Sequence, residues 1–261
     1  MTVPRISASS YSNTAPLIWS FLYGQNHGKV EIILDTAPAR SAELLARDRV
    51  DAALVPVIAY QYIENVRLIP DVCVGAQERV RSVCLVTKGA DLSEVNSVSL
   101  DISSKTSVVL TKLIFREFIG VEPQWRDELP DVDTMLRTSD CALIIGDPAL
   151  AIDETKYRKF DLVEIWRRYT GLGFVFAMWM TRKESSKIDF AAARDEGVGR
   201  IGEIASNYVS EIPLGRTEME TYLSKNISYS VAVSMREGME EYFKLSEKHK
   251  LIPANKSLAF I

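Results

Sequence analysis

The residues best suited to chemistry cluster at three strand-to-helix junctions. Segment 11–17 reads Tyr-Ser-Asn-Thr-Ala-Pro-Leu. Ser12 and Thr14 offer capping hydroxyls, Asn13 a side chain that both donates and accepts, and Pro16 suits a first helical turn. Segment 101–108 reads Asp-Ile-Ser-Ser-Lys-Thr-Ser-Val. It packs Ser103, Ser104, Thr106 and Ser107 together, more hydroxyls than one helix cap uses. A helix start exposes unpaired N–H groups and partial positive charge, so both junctions suit a carboxylate or phosphate. Ordinary capping uses the same residue types. Lys105 either adds charge or faces solvent. Segment 144–150, Ile-Ile-Gly-Asp-Pro-Ala-Leu, ends an apolar run on two residues of interest. Gly146 permits close backbone approach, and Asp147 either meets a ligand or caps the next segment. A fourth stretch, 169–176, reads Tyr-Thr-Gly-Leu-Gly-Phe-Val-Phe. It puts Thr170 and Phe174 in a glycine-marked loop whose aromatic rings line either a ligand crevice or the core.

The usual catalytic groups are scarce. Two histidines, His27 and His249, are present in 261 residues, and neither adjoins a junction. No GxSxG elbow, HExxH pair, P-loop or dinucleotide GxGxxG occurs, which disfavours serine hydrolase, zinc protease, nucleotide triphosphate and Rossmann readings. Cys73, Cys84 and Cys141 sit in apolar runs without a CxxC pair. They read as small buried hydrophobes, so no disulfide framework and no metal site are expected. Thirty-one basic against 35 acidic residues give a net charge of −4, the wrong sign for a nucleic-acid partner. No apolar run approaches the roughly 20 residues needed to span a bilayer, and no secretory leader is visible. A cytoplasmic location without a membrane partner is therefore expected, and a homo-oligomer remains open.

Alternating elements must position these junctions. Apolar strand patterns fall at 5–9, 30–34, 50–56, 80–86, 97–101, 142–146 and 174–180, with helical patterns after most of them. This predicts an α/β protein with mixed, mostly parallel sheets. The C-terminal tail is helical, with apolar stripes at Ile201, Ile204, Ala205, Tyr208 and Val209, and at Met235, Met239, Tyr242 and Phe243. Such stripes read as packing surfaces. No linker separates two halves, which predicts two interwoven lobes: 1–87 with 178–261, and 88–177. A ligand cleft between the lobes follows from the preference of ligands for such crevices.

Several segments, in this order, resemble the chorismate dehydratases of the futalosine route to menaquinone. They are Ser-Tyr-Ser-Asn-Thr-Ala-Pro-Leu (10–17), Val-Asp-Ala-Ala-Leu-Val-Pro (50–56), Val-Arg-Ser-Val-Cys-Leu (80–85), and the stretches around 101–108, 142–150 and 170–179. The resemblance covers roughly residues 5–182 and implies a fold like the type 2 periplasmic binding proteins. It further implies a lyase that converts chorismate to 3-[(1-carboxyvinyl)oxy]benzoate and water without a cofactor. Asn13 and Ser82 match the positions that lie beside the reacting carbon in that family. Neither is a competent base at neutral pH, so the substrate's own enolpyruvyl carboxylate is the expected proton acceptor, with Asp147 in reserve. Ser12, Thr14, Ser103, Ser104, Thr106, Ser107, Gly146, Asp147, Thr170 and Phe174 are the expected substrate contacts. Gly173 replaces a proline common in the family, which predicts a looser turn. The competing reading is a non-catalytic solute-binding protein or ligand sensor for a small carboxylate.

Overall fold

The computed structural model describes residues 3–35, 38–208 and 211–261; Val209 of the first helical stripe lies outside them. Two five-stranded sheets form among the described residues. The first holds β1 (Arg5–Ser9), β2 (Glu31–Asp35), β3 (Ala52–Pro56), β4 (Arg67–Ala76) and β10 (Phe174–Thr181), in the order β2-β1-β3-β10-β4. The second holds β5 (Val83–Thr87), β6 (Ser97–Asp101), β7 (Gln124–Glu128), β8 (Cys141–Ile145) and β9 (Arg158–Asp161), in the order β7-β6-β8-β5-β9. The two orders have one plan. β1 pairs in parallel with β2 and β3, as β6 does with β7 and β8. The fourth strand of each sheet, β10 or β5, runs antiparallel to both its neighbours.

Those two antiparallel strands are where the chain changes sheets. It leaves the first sheet after Ala76 and enters the second at Val83; it leaves α6 (Leu162–Thr170) and re-enters the first sheet at Phe174. The crossings therefore fall at 77–82 and 171–173, earlier than the expected boundaries near 87 and 178. Val83–Thr87 pairs with β8 and β9, and Phe174–Ala177 pairs with β3 and β4. The apolar runs there reveal strands but not their partners, and sheet membership is fixed only by pairing. The crossings lie side by side: a Cβ on Gly173 would fall 3.4 Å from the Gln77 Cα. The Gly173 turn is close-packed rather than loose. A Cβ on Gly238, in α10 (Val233–Lys248), would fall 2.0 Å from the Gly173 carbonyl oxygen.

The strands of the second sheet show why its runs are apolar on both faces. Val83, Leu85, Leu143 and Ile145 join the main core, while Cys84, Val86, Ala142 and Ile144 join a smaller cluster with Met135 and Leu136. That is the two-residue period of a strand covered on both sides. All three cysteines are buried and free, and burial raises their thiol pKa values, that of Cys84 to about 12. They are inert core residues. The stripe Met235, Met239, Tyr242 and Phe243 is buried, and α10 lies against β10 and against α3 (Lys105–Leu113). No helix among the described residues is long and apolar enough to cross a membrane.

Candidate active site

The first and second junctions face each other across a cavity. At the first, β1 ends at Ser9 and a single 3-10 turn, Ser12–Thr14, leads into α1 (Ala15–Leu22). The Thr14 hydroxyl donates to the Ser9 and Tyr11 carbonyls at 2.6 and 2.8 Å, which fixes the turn and directs Asn13 to the cavity. At the second, β6 ends at Asp101 and α3 begins at Lys105. The Ser103 N–H and hydroxyl both donate to Asp101 Oδ1, at 2.9 and 2.6 Å. Burial raises the Asp101 pKa against those hydrogen bonds. Lys105 is exposed, so the alternative of added charge at the junction falls away.

The helix start at α3 is tied to the first lobe from two sides. The Ile58 N–H donates to the Thr106 hydroxyl oxygen at 3.3 Å, and the Tyr242 hydroxyl donates to the Thr106 carbonyl at 3.0 Å. A second tie crosses the cleft at Asp147. Its Oδ2 accepts from the Ser12 N–H at 3.2 Å, and its Oδ1 accepts from the Ser12 hydroxyl. Burial raises the Asp147 pKa, partly offset by these two bonds. Beside this clasp Tyr11 lies on Gly146, where a Cβ would come within 2.9 Å of the ring; Gly146 itself has φ 66°. Both the close ring and the backbone angle require glycine there.

The space between the two junctions is a cavity with an open mouth. Its polar side is built from Asn13, Thr14, Ser103, Ser104, Thr106 and Ser107. Its apolar side includes Leu54, Val74, Val83, Ile145 and Phe176. No charged side chain lines it among the described residues. His27 is exposed in the turn after α1, and His249 pairs with Glu117 at 2.6 Å. Neither supplies a base to the cavity.

Four of the expected substrate contacts lie elsewhere. Ser12 and Asp147 engage each other across the cleft, outside the cavity wall. The Thr170 hydroxyl donates to the Trp166 carbonyl at 2.8 Å and accepts from the Leu172 N–H at 3.1 Å, which closes the end of α6. Phe174 is fully buried against Trp166 and Tyr242. Phe176, two residues on along the same strand, lines the cavity instead.

Ser82, the second expected catalytic residue, sits behind the wall, between the lining residues Val80 and Val83. It is not within a strand. Its N–H donates to the Val80 carbonyl at 2.8 Å across Arg81, which has φ 64°. This is a three-residue turn of the strained γ type. Asp161 holds it. One carboxylate accepts from the N–H groups of Val80 and Arg81, at 3.1 and 2.6 Å, and also caps α6 through Val163 and Glu164, at 2.9 and 3.2 Å. Burial raises the Asp161 pKa against those bonds. Asp161 is absent from the residues expected at the site; its position before the amphipathic stretch Leu-Val-Glu-Ile-Trp is an ordinary helix-start signal, and nothing local marks it as the brace of a distant turn. The Gly146 N–H donates to the Ser82 carbonyl at 2.7 Å, which joins the Ser82 turn to the third junction.

Residues 4–248 match the model of the menaquinone biosynthesis family. The chain belongs to that family. A chorismate dehydratase from Thermus thermophilus is 30% identical, aligning 89% of this chain with 91% of that protein. Solved structures carry the family's fold further. Protein AF1704 from Archaeoglobus fulgidus superposes with a TM-score of 0.69 at 13% identity, over 95% of this chain and 98% of that one. The periplasmic aliphatic sulphonate binding protein SsuA from Escherichia coli superposes with a TM-score of 0.67 at 13% identity, over 99% and 93%. In this menaquinone biosynthesis protein, then, the periplasmic-binding-protein fold expected from the sequence is the one observed.

Proposed function

We propose that this protein dehydrates chorismate to 3-[(1-carboxyvinyl)oxy]benzoate and water, in the cytoplasm and as a step toward menaquinone. The observation that carries this reading is the cavity's composition: two helix starts face it, and no charged side chain among the described residues lines it. Chorismate carries two carboxylates. Each fits a helix start, whose free N–H groups and hydroxyls offer neutral donors. The ring and enolpyruvyl group fit the apolar side around Phe176 and Leu54.

The reaction breaks a ring C–H bond and the neighbouring C–OH bond, and the ring becomes aromatic. Aromatisation supplies the driving force, so the protein must orient the substrate and assist one proton transfer. Asn13 reaches the cavity but is not basic, and the hydroxyls around it are not activated. The enolpyruvyl carboxylate of the substrate takes the ring proton, and the ring hydroxyl departs as water after protonation. Asn13 orients that carboxylate and stabilises the charge that develops, and Ser82 supports Asn13 from behind the wall.

Incubation with chorismate tests this directly. Mass spectrometry is expected to show a product lighter by one water, with catalytic turnover and no added cofactor. Stoichiometric binding of chorismate without product would overturn it in favour of a solute-binding protein, as the SsuA neighbour is for aliphatic sulphonates.

A further inference from the structure

The helical tail reaches the site through one face of a short helix. α9 (Arg216–Thr221) runs into a π-helical turn, Tyr222–Asn226. Glu218 and Tyr222 are four residues apart and so share a face. Glu218 pairs with the Arg81 guanidinium, the residue at the centre of the strained turn. Tyr222 extends to the next residue of that turn. Its side chain is fully buried, and its hydroxyl lies beside the Ser82 hydroxyl and the Asn13 carboxamide. It is close to both yet has no hydrogen bond of standard geometry with any group.

A buried hydroxyl in that condition costs stability that a phenylalanine would not. The ring alone would fill the core, and the Arg81–Glu218 pair already braces the turn. The hydroxyl therefore has a use that packing does not explain. It can donate to one neighbour and accept from the other, and each of those can do the same. Burial raises its pKa, so it stays protonated and serves as a hydrogen-bond partner, not as a base.

We propose that Tyr222 is a positioning residue of the dehydration site, whose hydroxyl aligns Ser82 and Asn13 when substrate is bound. This rests on chorismate dehydration being the reaction. In the structure the Ser82 hydroxyl makes only a long hydrogen bond to the Val80 carbonyl, at 3.5 Å, and substrate completes the set by fixing Asn13 from the cavity side.

Tyr222→Phe tests it, since only one oxygen is removed. The expected result is a fall in kcat of about tenfold or more, the scale of a slightly misplaced catalytic group. KM should stay within about threefold, because the helix starts that hold the carboxylates are untouched. The melting temperature should be unchanged or higher, since an unpartnered buried hydroxyl is lost. A kcat within about twofold of the parent would overturn the proposal. So would a lowered melting temperature with kcat and KM damaged together, which would make Tyr222 a structural residue only. If the unaltered chain leaves chorismate intact, the proposed function itself fails and takes this assignment with it. That failure is read on the parent protein, apart from the variant.

Discussion

Asn13→Ala is expected to lower kcat on chorismate by about 10² to 10³-fold, the range seen when one aligned donor to developing charge is removed. Among the side chains of the first junction, Asn13 is the one directed to the cavity with its hydrogen-bonding groups uncommitted to its own turn. The Thr14 hydroxyl is spent on the Ser9 and Tyr11 carbonyls, and the Ser12 hydroxyl on Asp147. Alanine leaves both arrangements intact, so the 3-10 turn and α1 remain in place. The loss should fall on kcat more than on KM, because the carboxylate-binding helix starts persist. Steady-state kinetics with the melting temperature as control checks this. Near-parent turnover with retained fold would remove Asn13 from the mechanism.

Gly197→Ala is expected to destabilise the protein by about 3 kcal/mol, toward the upper end for overpacked interiors. Intrinsic helix propensity alone predicts the opposite sign, a gain of about 1 kcal/mol for replacing a helical glycine. Packing decides. Gly197 lies in α7 (Phe190–Val198), buried against α1, and a Cβ would fall 1.9 Å from the Pro16 carbonyl oxygen. Backbone cannot rotate away as a side chain can, so the two helices must part. A loss of that size lowers the melting temperature by about 6 to 12 °C in a chain of this length. Gly202→Ala is the internal control. It lies in α8 (Ile201–Tyr208), where the nearest atom to a Cβ is Glu220 Oε1 at 3.6 Å. There propensity should win, with a gain of about 0.5 to 1 kcal/mol. Calorimetry on the pair reads both signs.

The junctions were legible because their chemistry is local. Hydroxyls at 103–107 and Asn13 at 11–17 stand next to apolar strand runs, and a helix start needs no distant partner to be recognised. The same holds for Gly146. What escaped depends on contacts remote in sequence. Val-Arg-Ser-Val at 80–83 alternates like a strand, and nothing in Arg81 announces a positive φ. The turn exists because Asp161, 80 residues away from Arg81, accepts its N–H. Segment 158–170, which supplies that carboxylate, carries a weaker apolar pattern than the elements on either side of it. Phe174 and Phe176 point to the same side of one strand, and only the placement of Trp166 and Tyr242 decides which ring is core and which is cavity. Tyr222 lies between the two apolar stripes of the tail, and nothing in Glu-Thr-Tyr-Leu tells where its hydroxyl ends.

A cavity built from neutral donors also has a kinetic consequence. Clefts lined by cations draw anions in from a distance, and salt slows that capture. Here the attraction resides in helix starts, whose fields fade within about a turn of the helix. The chain's net charge is −4, so at long range a doubly anionic substrate is, if anything, weakly repelled. Encounter is thus a matter of ordinary diffusion. Raising the ionic strength should leave kcat/KM level or slightly higher, where an arginine-lined site for the same substrate would lose ground.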